Sequence, residues 1–400
     1  VDLNDSLPSA TAHAHGMRAT TRAVMAQFFV AGMAFACWGV QIPDIKSRFG
    51  LSDFVLSFAM LTVAGGAIIA MGTIGRWATR VGSARAMVVS GVVYAVATAS
   101  IPWMPNFEIL LALLLVLGMA TAGYDVTVNV QAAAVETRGG RPIMSTLHGM
   151  FSLGGMIGAG LGGLAALGDL PAWVYPAGIG VATLGAIAWG RPYLLADAAT
   201  EDEARGTGSR RIPAALWILG FFAFLGLICE GAMYDWASVY LRDVARAAPQ
   251  LASYGYAAFS TGMACGRFAA DPLRRRIGDG ATLTISTWMG FAGIALAVAL
   301  PQPAWTVAGF ILMGLGVANL MPLFFLAGAR LPGTTPAEGV AAIARCAYTG
   351  MLLGPAIIGA ITHHADLRVA LGAVAIIMGL IASVGIRQVL RIGRQAAAPG

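Results

Sequence analysis

Apolar residues run along this chain in long blocks, separated by short clusters of charged and turn-forming residues. The blocks cover residues 23–42, 54–74, 84–102, 107–130, 143–167 and 172–195, then 214–234, 251–270, 281–300, 304–327, 339–362 and 367–389. Each reaches or approaches the ~20 residues with which an α-helix crosses a hydrocarbon core about 30 Å thick. The pattern predicts an all-α membrane protein with twelve transmembrane helices.

The blocks form two sets of six. Gly82, Gly118, Gly158 and Gly163 recur at a constant interval of 196 positions as Gly278, Gly314, Gly354 and Gly359. Arg80, Ser90 and Pro105 keep the same register with Arg276, Ser286 and Pro301. The chain therefore reads as one six-helix unit written twice. Parallel repeats of this kind recur in secondary transporters, which hold substrate between the halves near the bilayer midplane. The expected organisation is a disordered tail over 1–17, six-helix bundles over 18–195 and 213–391, a linker over 196–212 and a second tail over 392–400. The linker mixes Asp197, Glu201, Asp202, Glu203, Arg205, Arg210 and Arg211 with small residues, a composition that does not fold by itself.

Composition agrees: 58% of the 400 residues are hydrophobic and 11% charged, against roughly a quarter charged in soluble domains. The net charge of +6 changes meaning once the basic residues are placed on the predicted topology. An even number of spans puts both termini on one side. That side receives Arg18, Arg22, Arg76, Arg80, Arg85, Arg138, Arg141, Arg191, Arg205, Arg210, Arg211, Arg267, Arg274, Arg275, Arg276, Arg330, Arg387, Arg391 and Arg394, whereas Lys46, Arg48, Arg242, Arg246 and Arg368 fall on the other. By the positive-inside rule both termini are cytoplasmic, in a bacterial inner membrane, and the basic excess is topological rather than a nucleic-acid footprint. Cys37, Cys229, Cys265 and Cys346 lie inside spans without metal-type spacing and read as packing residues. No cofactor or metal is expected, and the chain is read as a monomer whose partners are a small-molecule substrate, protons and the lipid bilayer.

The segment Gly75-Arg76-Trp77-Ala78-Thr79-Arg80-Val81-Gly82 resembles the G-x-x-x-D-R-x-G loop of the major facilitator superfamily, with Thr79 in place of the aspartate. The run from Gly266-Arg267 through Asp271 to Arg276-Ile277-Gly278 resembles the same loop in the second half. Three further stretches resemble a bacterial permease branch related to the fucose:proton symporters: Gly123-Tyr124-Asp125-Val126-Thr127-Val128-Asn129, Arg141-Pro142-Ile143-Met144-Ser145 with His148-Gly149, and Glu230-Gly231 with Asp235-Trp236. That resemblance implies a proton-binding carboxylate four residues before an asparagine on the fourth span, which Asp125 and Asn129 match. It also implies a cytoplasmic gate, for which Arg76, Arg80, Glu136, Arg138, Arg141 and Asp271 are the candidates; solvated loop charge is the plainer reading of the same residues.

Asp125 lies about eleven residues inside the fourth span, some 16 Å deep at 1.5 Å per residue. A carboxylate there faces a cavity, pairs with another group or binds a proton. Asn129, one turn on, shares its face. Glu230 and Tyr234 repeat that spacing on the seventh span, and Trp38, Gln41, Tyr124 and Trp236 join them as candidate substrate contacts. Together they suit a sugar-like or aromatic solute, since rings pack on apolar faces while amides and carboxylates fix hydroxyls. An interfacial aromatic belt accounts for the tryptophans equally well. His148 either passes protons near neutral pH or is a packing residue with its polar atoms satisfied. Arg345, predicted at the same depth, either neutralises Asp125, holds a substrate anion or makes a structural ion pair, and Asn319 completes the candidate binding set. Gly158-Ala159-Gly160-Leu161-Gly162-Gly163 resembles an antiporter glycine motif lacking its proline; close helix packing is the simpler explanation.

The chain contains no H-E-x-x-H, G-x-S-x-G or phosphate-binding glycine loop, and nothing like a selectivity filter, so it is not expected to be an enzyme or a channel. Proton-coupled import of a small polar, sugar-like solute by alternating access leads. Proton-driven efflux of amphipathic or aromatic compounds, and a membrane-embedded solute sensor that does not transport, are the alternatives.

Overall fold

The computed structural model describes residues 10–140, 143–196, 213–331 and 336–397. Positions 197–212 of the expected linker, positions 1–9 and 398–400 of the tails, and Arg141 lie outside the described residues. The first half contains α1 (Ala10–Phe49), α2 (Asp53–Met71), α3 (Ile74–Val81), α4 (Ser83–Ser100), α5 (Phe107–Gly139), α6 (Met144–Leu167) and α7 (Val174–Gly190). The second contains α8 (Ala214–Asp243), α9 (Ser253–Ala299), α10 (Pro303–Val317), α11 (Leu320–Ala329), α12 (Pro336–His364), α13 (Leu367–Leu380) and α14 (Ile386–Ala397).

Among the described residues, 10 helical stretches are long and apolar enough to cross a membrane. The longest, Pro249–Ala299, is two spans, because Gly278 breaks α9 with φ 81° and ψ 164°. The 17-residue α7 completes the twelve. Large apolar side chains such as Val181, Ile68 and Ile376 point outward with half or more of their surface exposed, as lipid-facing positions do. Side-chain caps start α2, α5 and α13, where Ser52, Asn106 and Asp366 accept from the amides of Val55, Ile109 and Val369. All three caps lie at the end of the bundle opposite the termini.

The sequence repeat is also a repeat in space. Gly82 turns the chain into α4 with φ 87° and ψ 138°, a region open essentially to glycine alone, and Gly278 makes the equivalent turn. Gly118 of α5 packs so closely on α2 that a Cβ would overlap the carbonyl of Val63; Gly314 of α10 stands in the same relation to the carbonyl of Phe259 on α9. Val63 and Phe259 are themselves repeat partners. Across the halves, Gly163 of α6 receives Ser253 of α9, and Gly359 of α12 receives Ser57 of α2. Since Ser57 and Ser253 are also repeat partners, the bundles meet through two equivalent seams, α6–α9 and α2–α12. Two bundles built this way leave room between them, and the buried polar residues lie there.

Candidate functional site

A cavity of about 570 Å³ occupies the space between the halves. Its walls come from α1, α2, α4, α5 and α6 on one side and α8, α9 and α12 on the other, and it reaches Met71 and Ala133 near the face that holds the termini. Phe28, Phe35, Trp38, Tyr94, Phe151, Tyr234 and Tyr348 supply aromatic surface. Asp125, Asn129, His148, Glu230, Asp235 and Arg267 supply the ionisable and amide groups. An apolar wall with a few converging polar groups is the usual constitution of a small-molecule site.

Asp125 and Asn129 come together because α5 runs unbroken through 33 residues, placing them one turn apart on the cavity side. Asn129 Nδ2 donates to Asp125 Oδ1 at 3.2 Å and to the Asp125 carbonyl at 2.9 Å. Among the described residues, no lysine or arginine pairs with this carboxylate. Next to it, the Tyr124 hydroxyl donates to Gln27 Oε1 at 2.6 Å, and Gln27 in turn donates to the Ala186 carbonyl, tying α5 through α1 to α7.

Glu230 on α8 lies on the facing wall, 3.4 Å from Arg267 Nη2. The other guanidinium nitrogen, Nη1, donates to Ser152 Oγ at 2.6 Å and to the His148 carbonyl at 3.3 Å, both on α6. The sequence places Arg267 in a loop-like motif on the basic face, and the structure corrects this. The helix α9 continues past it, and the side chain enters the cavity wall with only 18% exposure. Its signal in the sequence is the failure of the repeat, which puts Met71 at the matching position.

Toward the side away from the termini, aromatic rings pack across the cavity. Phe35 stacks edge-on against Tyr234 at 5.3 Å and tilts against Phe151 at 5.8 Å. Beyond this aromatic layer, Lys46 Nζ of α1 lies 2.5 Å from Asp243 Oδ2 of α8 and 2.6 Å from Asp53 Oδ1 of α2. Arg242 donates to the Pro43 carbonyl and to Ser47 Oγ at 2.8 Å. At the terminal face the ion pairs of Arg274 with Asp271 and Asp279, and of Arg330 with Asp279, all stay within the second half.

The structure thus brings Asp125, Glu230, His148, Trp38, Tyr124, Asn129 and Tyr234 into one cavity. Gln41 lies elsewhere, buried and bonded to the Cys37 carbonyl one turn back. Trp236 is fully buried away from the cavity, and Asn319 donates to Ser286 Oγ at 3.0 Å within the second half. Arg345 is exposed and forms no part of the cavity wall. Of the gate candidates, Arg76, Arg80 and Arg138 are exposed, and Asp271 pairs with Arg274 at 3.6 Å. Glu136 instead accepts from the amides of Ile143 and Met144 at 2.7 and 3.0 Å, capping the start of α6. The glycine-rich stretch of α6 packs against Met33, Val40, Tyr175, Ser253 and Tyr254, which accounts for its composition.

Two six-helix bundles related by a parallel repeat, with polar residues lining a cavity between them, define a secondary-transporter architecture. The chain belongs to the Major Facilitator Superfamily, which it matches over residues 24–349. It is 33% identical to the membrane protein MosC of Rhizobium meliloti over 356 residues, 89% of this chain and 87% of that protein. It is 32% identical to an uncharacterised MFS-type transporter of Yersinia pestis, over 89% of this chain and 92% of the other. The fold resembles that of the nucleoside transporter NupG, with a TM-score of 0.69 at 12% identity over 94% of this chain and 99% of that one. It also resembles a bacterial homologue of the human lysosomal transporter Spinster in an inward-facing, occupied conformation, with a TM-score of 0.65 at 14% identity over 97% and 99%. The protein is a multi-pass membrane transporter and not an enzyme.

Proposed function

We propose that the protein moves a small polar, sugar-like solute across the bacterial inner membrane by alternating access, in symport with protons, as a monomer with both termini in the cytoplasm. The observation that carries this reading is Asp125: a carboxylate in the cavity wall whose side-chain partner is the neutral Asn129 rather than a cation. A lone carboxylate at membrane depth has its cost removed by a proton. Aromatic rings and carboxylates on facing walls provide flat apolar surface and hydroxyl-directed acceptors for one solute. Solute and proton together favour the change of access only if they bind its two states unequally. Solute-driven proton uptake in proteoliposomes tests the coupling: it disappears in Asp125→Asn, and uptake unchanged in that variant sinks the proton role.

The number of rings in the cavity supports a second reading, proton-driven efflux of amphipathic or aromatic compounds. The direction of flux in inverted vesicles separates the two. A non-transporting sensor would bind the same solute in proteoliposomes with no flux. Substrate class is decided first by a thermal-shift screen of sugars, organic acids and aromatic compounds, because a ligand of the folded state raises apparent stability.

A further inference from the structure

The two seams share the glycine–serine contact at Gly163 and Gly359 but differ at the depth of the cavity, where Gly155 and Gly149 are answered by Met351 and Arg345. Along the α6–α9 seam, Gly163 meets Ser253, Gly155 meets Ser260 and Gly149 meets Phe268, so the helices run antiparallel in close register. Arg267 crosses between the last two levels to Ser152, which is 2% exposed, and to the His148 carbonyl. The repeat carries Arg267 onto Met71 and Ser152 onto Tyr348. At the same level the α2–α12 seam therefore has a thioether and a phenol, 45% and 42% exposed, and both line the cavity.

This difference has a mechanical meaning. Interfaces made of small residues bring backbones close without a directional bond between them. Charge-assisted hydrogen bonds are roughly twice as strong as neutral ones and have fixed geometry. The Arg267 guanidinium supplies such bonds to α6 with one nitrogen while the other faces Glu230 on α8. Around Glu230 stand Arg267 from α9, Tyr234 from α8 itself and Tyr348 from α12, with His148 of α6 in the same cavity. Of these, Arg267 is the group that connects the carboxylate to the other half.

We propose that Arg267 is a positioning residue that gives one seam a directional bond the other lacks: it pins α6 to α9 at the depth of the cavity, and Glu230 holds its guanidinium in that bridging pose, so that opening falls on the α2–α12 seam. This rests on the transporter assignment and is independent of the solute and of proton coupling.

The test measures distances across each seam by spin labels in the full-length protein in lipid, in a background with Cys265 and Cys346 replaced by serine. Thr146→Cys with Ala269→Cys reports on α6–α9; Thr73→Cys with Ala342→Cys, at the repeat positions of that pair, reports on α2–α12. The first pair is expected to give a narrow distribution and the second a broad one. Arg267→Met, the residue at the repeat position, is expected to broaden the first at least about twofold, and Arg267→Lys to restore part of the narrowness. Glu230→Gln broadens it when Arg267 is present and adds nothing to Arg267→Met. A narrow α6–α9 distribution in an Arg267→Met protein that melts with the parent overturns the proposal, as does broadening by Glu230→Gln that persists without Arg267. Should Arg267→Met not fold, Ser152→Ala removes the α6 partner and carries the same comparison. Failure here leaves the solute-driven proton measurement untouched, so the two outcomes remain distinct.

Discussion

Lys46 and Asp243 stand on different halves of the protein, and their side chains meet at 2.5 Å on the face away from the termini. Asp53 shares the same ammonium, and Arg242 beside Asp243 reaches back to the Pro43 carbonyl, so α1, α2 and α8 converge on one charged cluster. Lys46 and Asp243 retain 17% and 29% of their side-chain exposure. A partly solvated pair of this kind contributes up to about 1 kcal/mol, enough to shift a two-state population about fivefold. Asp243→Asn is therefore expected to populate states open on this side. A Phe35→Cys reporter, in the aromatic layer of the cavity, should react a few times faster with a thiol reagent applied from that face. An unchanged rate would show that the aromatic layer closes the cavity by itself.

The paired glycines make a second prediction, because chemistry and depth are matched within each pair. Gly118→Ala and Gly314→Ala each drive a methyl group into a neighbouring backbone carbonyl, and each should destabilise by about 1–3 kcal/mol. Gly160 of α6 has open space on its side-chain face, with no neighbour within 4 Å of where a methyl group would stand, so Gly160→Ala should stay within about 1 kcal/mol of the parent. Melting of the purified protein checks all three. Equal effects at Gly118 and Gly314, with none at Gly160, are what a repeated crossing predicts; a large loss at Gly160 would contradict the packing described for α6.

Glu136, a gate candidate by its position in the sequence, stands at the start of α6 with its Oε2 accepting two backbone amides. The helix N-terminus presents unpaired N–H groups and a partial positive charge, which an anionic acceptor satisfies. Glu136→Ala should cost about 1–2 kcal/mol, whereas Glu136→Gln keeps an acceptor and should cost less. The order of the melting temperatures, parent above Gln above Ala, tests this capping role. Equal stability of all three with altered transport would return Glu136 to the gate.

The architecture was legible in the sequence because bilayer thickness and the repeat are both one-dimensional signals. Twelve apolar blocks and the glycine interval required no knowledge of side-chain contacts. Much of the site was legible for a related reason: Asp125, Glu230 and His148 are ionisable groups inside apolar blocks, and such residues gather at cavities. What escaped was direction. Gln41 and Trp236 sit on helices that line the cavity but turn away from it, and azimuth on a helix that is apolar all round leaves no periodic signal. Arg267 escaped because its neighbours resemble a loop, although α9 continues well beyond it. Arg345, at a depth that suggests contact with Asp125, is exposed instead.

That contrast yields the last prediction. Trp236 is fully buried with its indole Nε1 lacking a protein acceptor among the described residues, and Arg345 lies off the cavity wall. Neither is placed to touch a solute held between the halves. Trp236→Phe removes an unpaired donor while keeping most of the ring volume, so stability should change by less than about 1.5 kcal/mol. Solute affinity in Trp236→Phe and Arg345→Ala should stay within about twofold of the parent. Asn129→Ala, by contrast, removes an amide from the cavity wall beside Asp125 and should weaken binding by up to about tenfold, since one neutral hydrogen bond to the solute is worth about 0.5–1.5 kcal/mol. Calorimetry with the first ligand identified by thermal shift decides the matter. A tenfold loss in Arg345→Ala with Asn129→Ala unaffected would move the binding site out of the cavity between the halves.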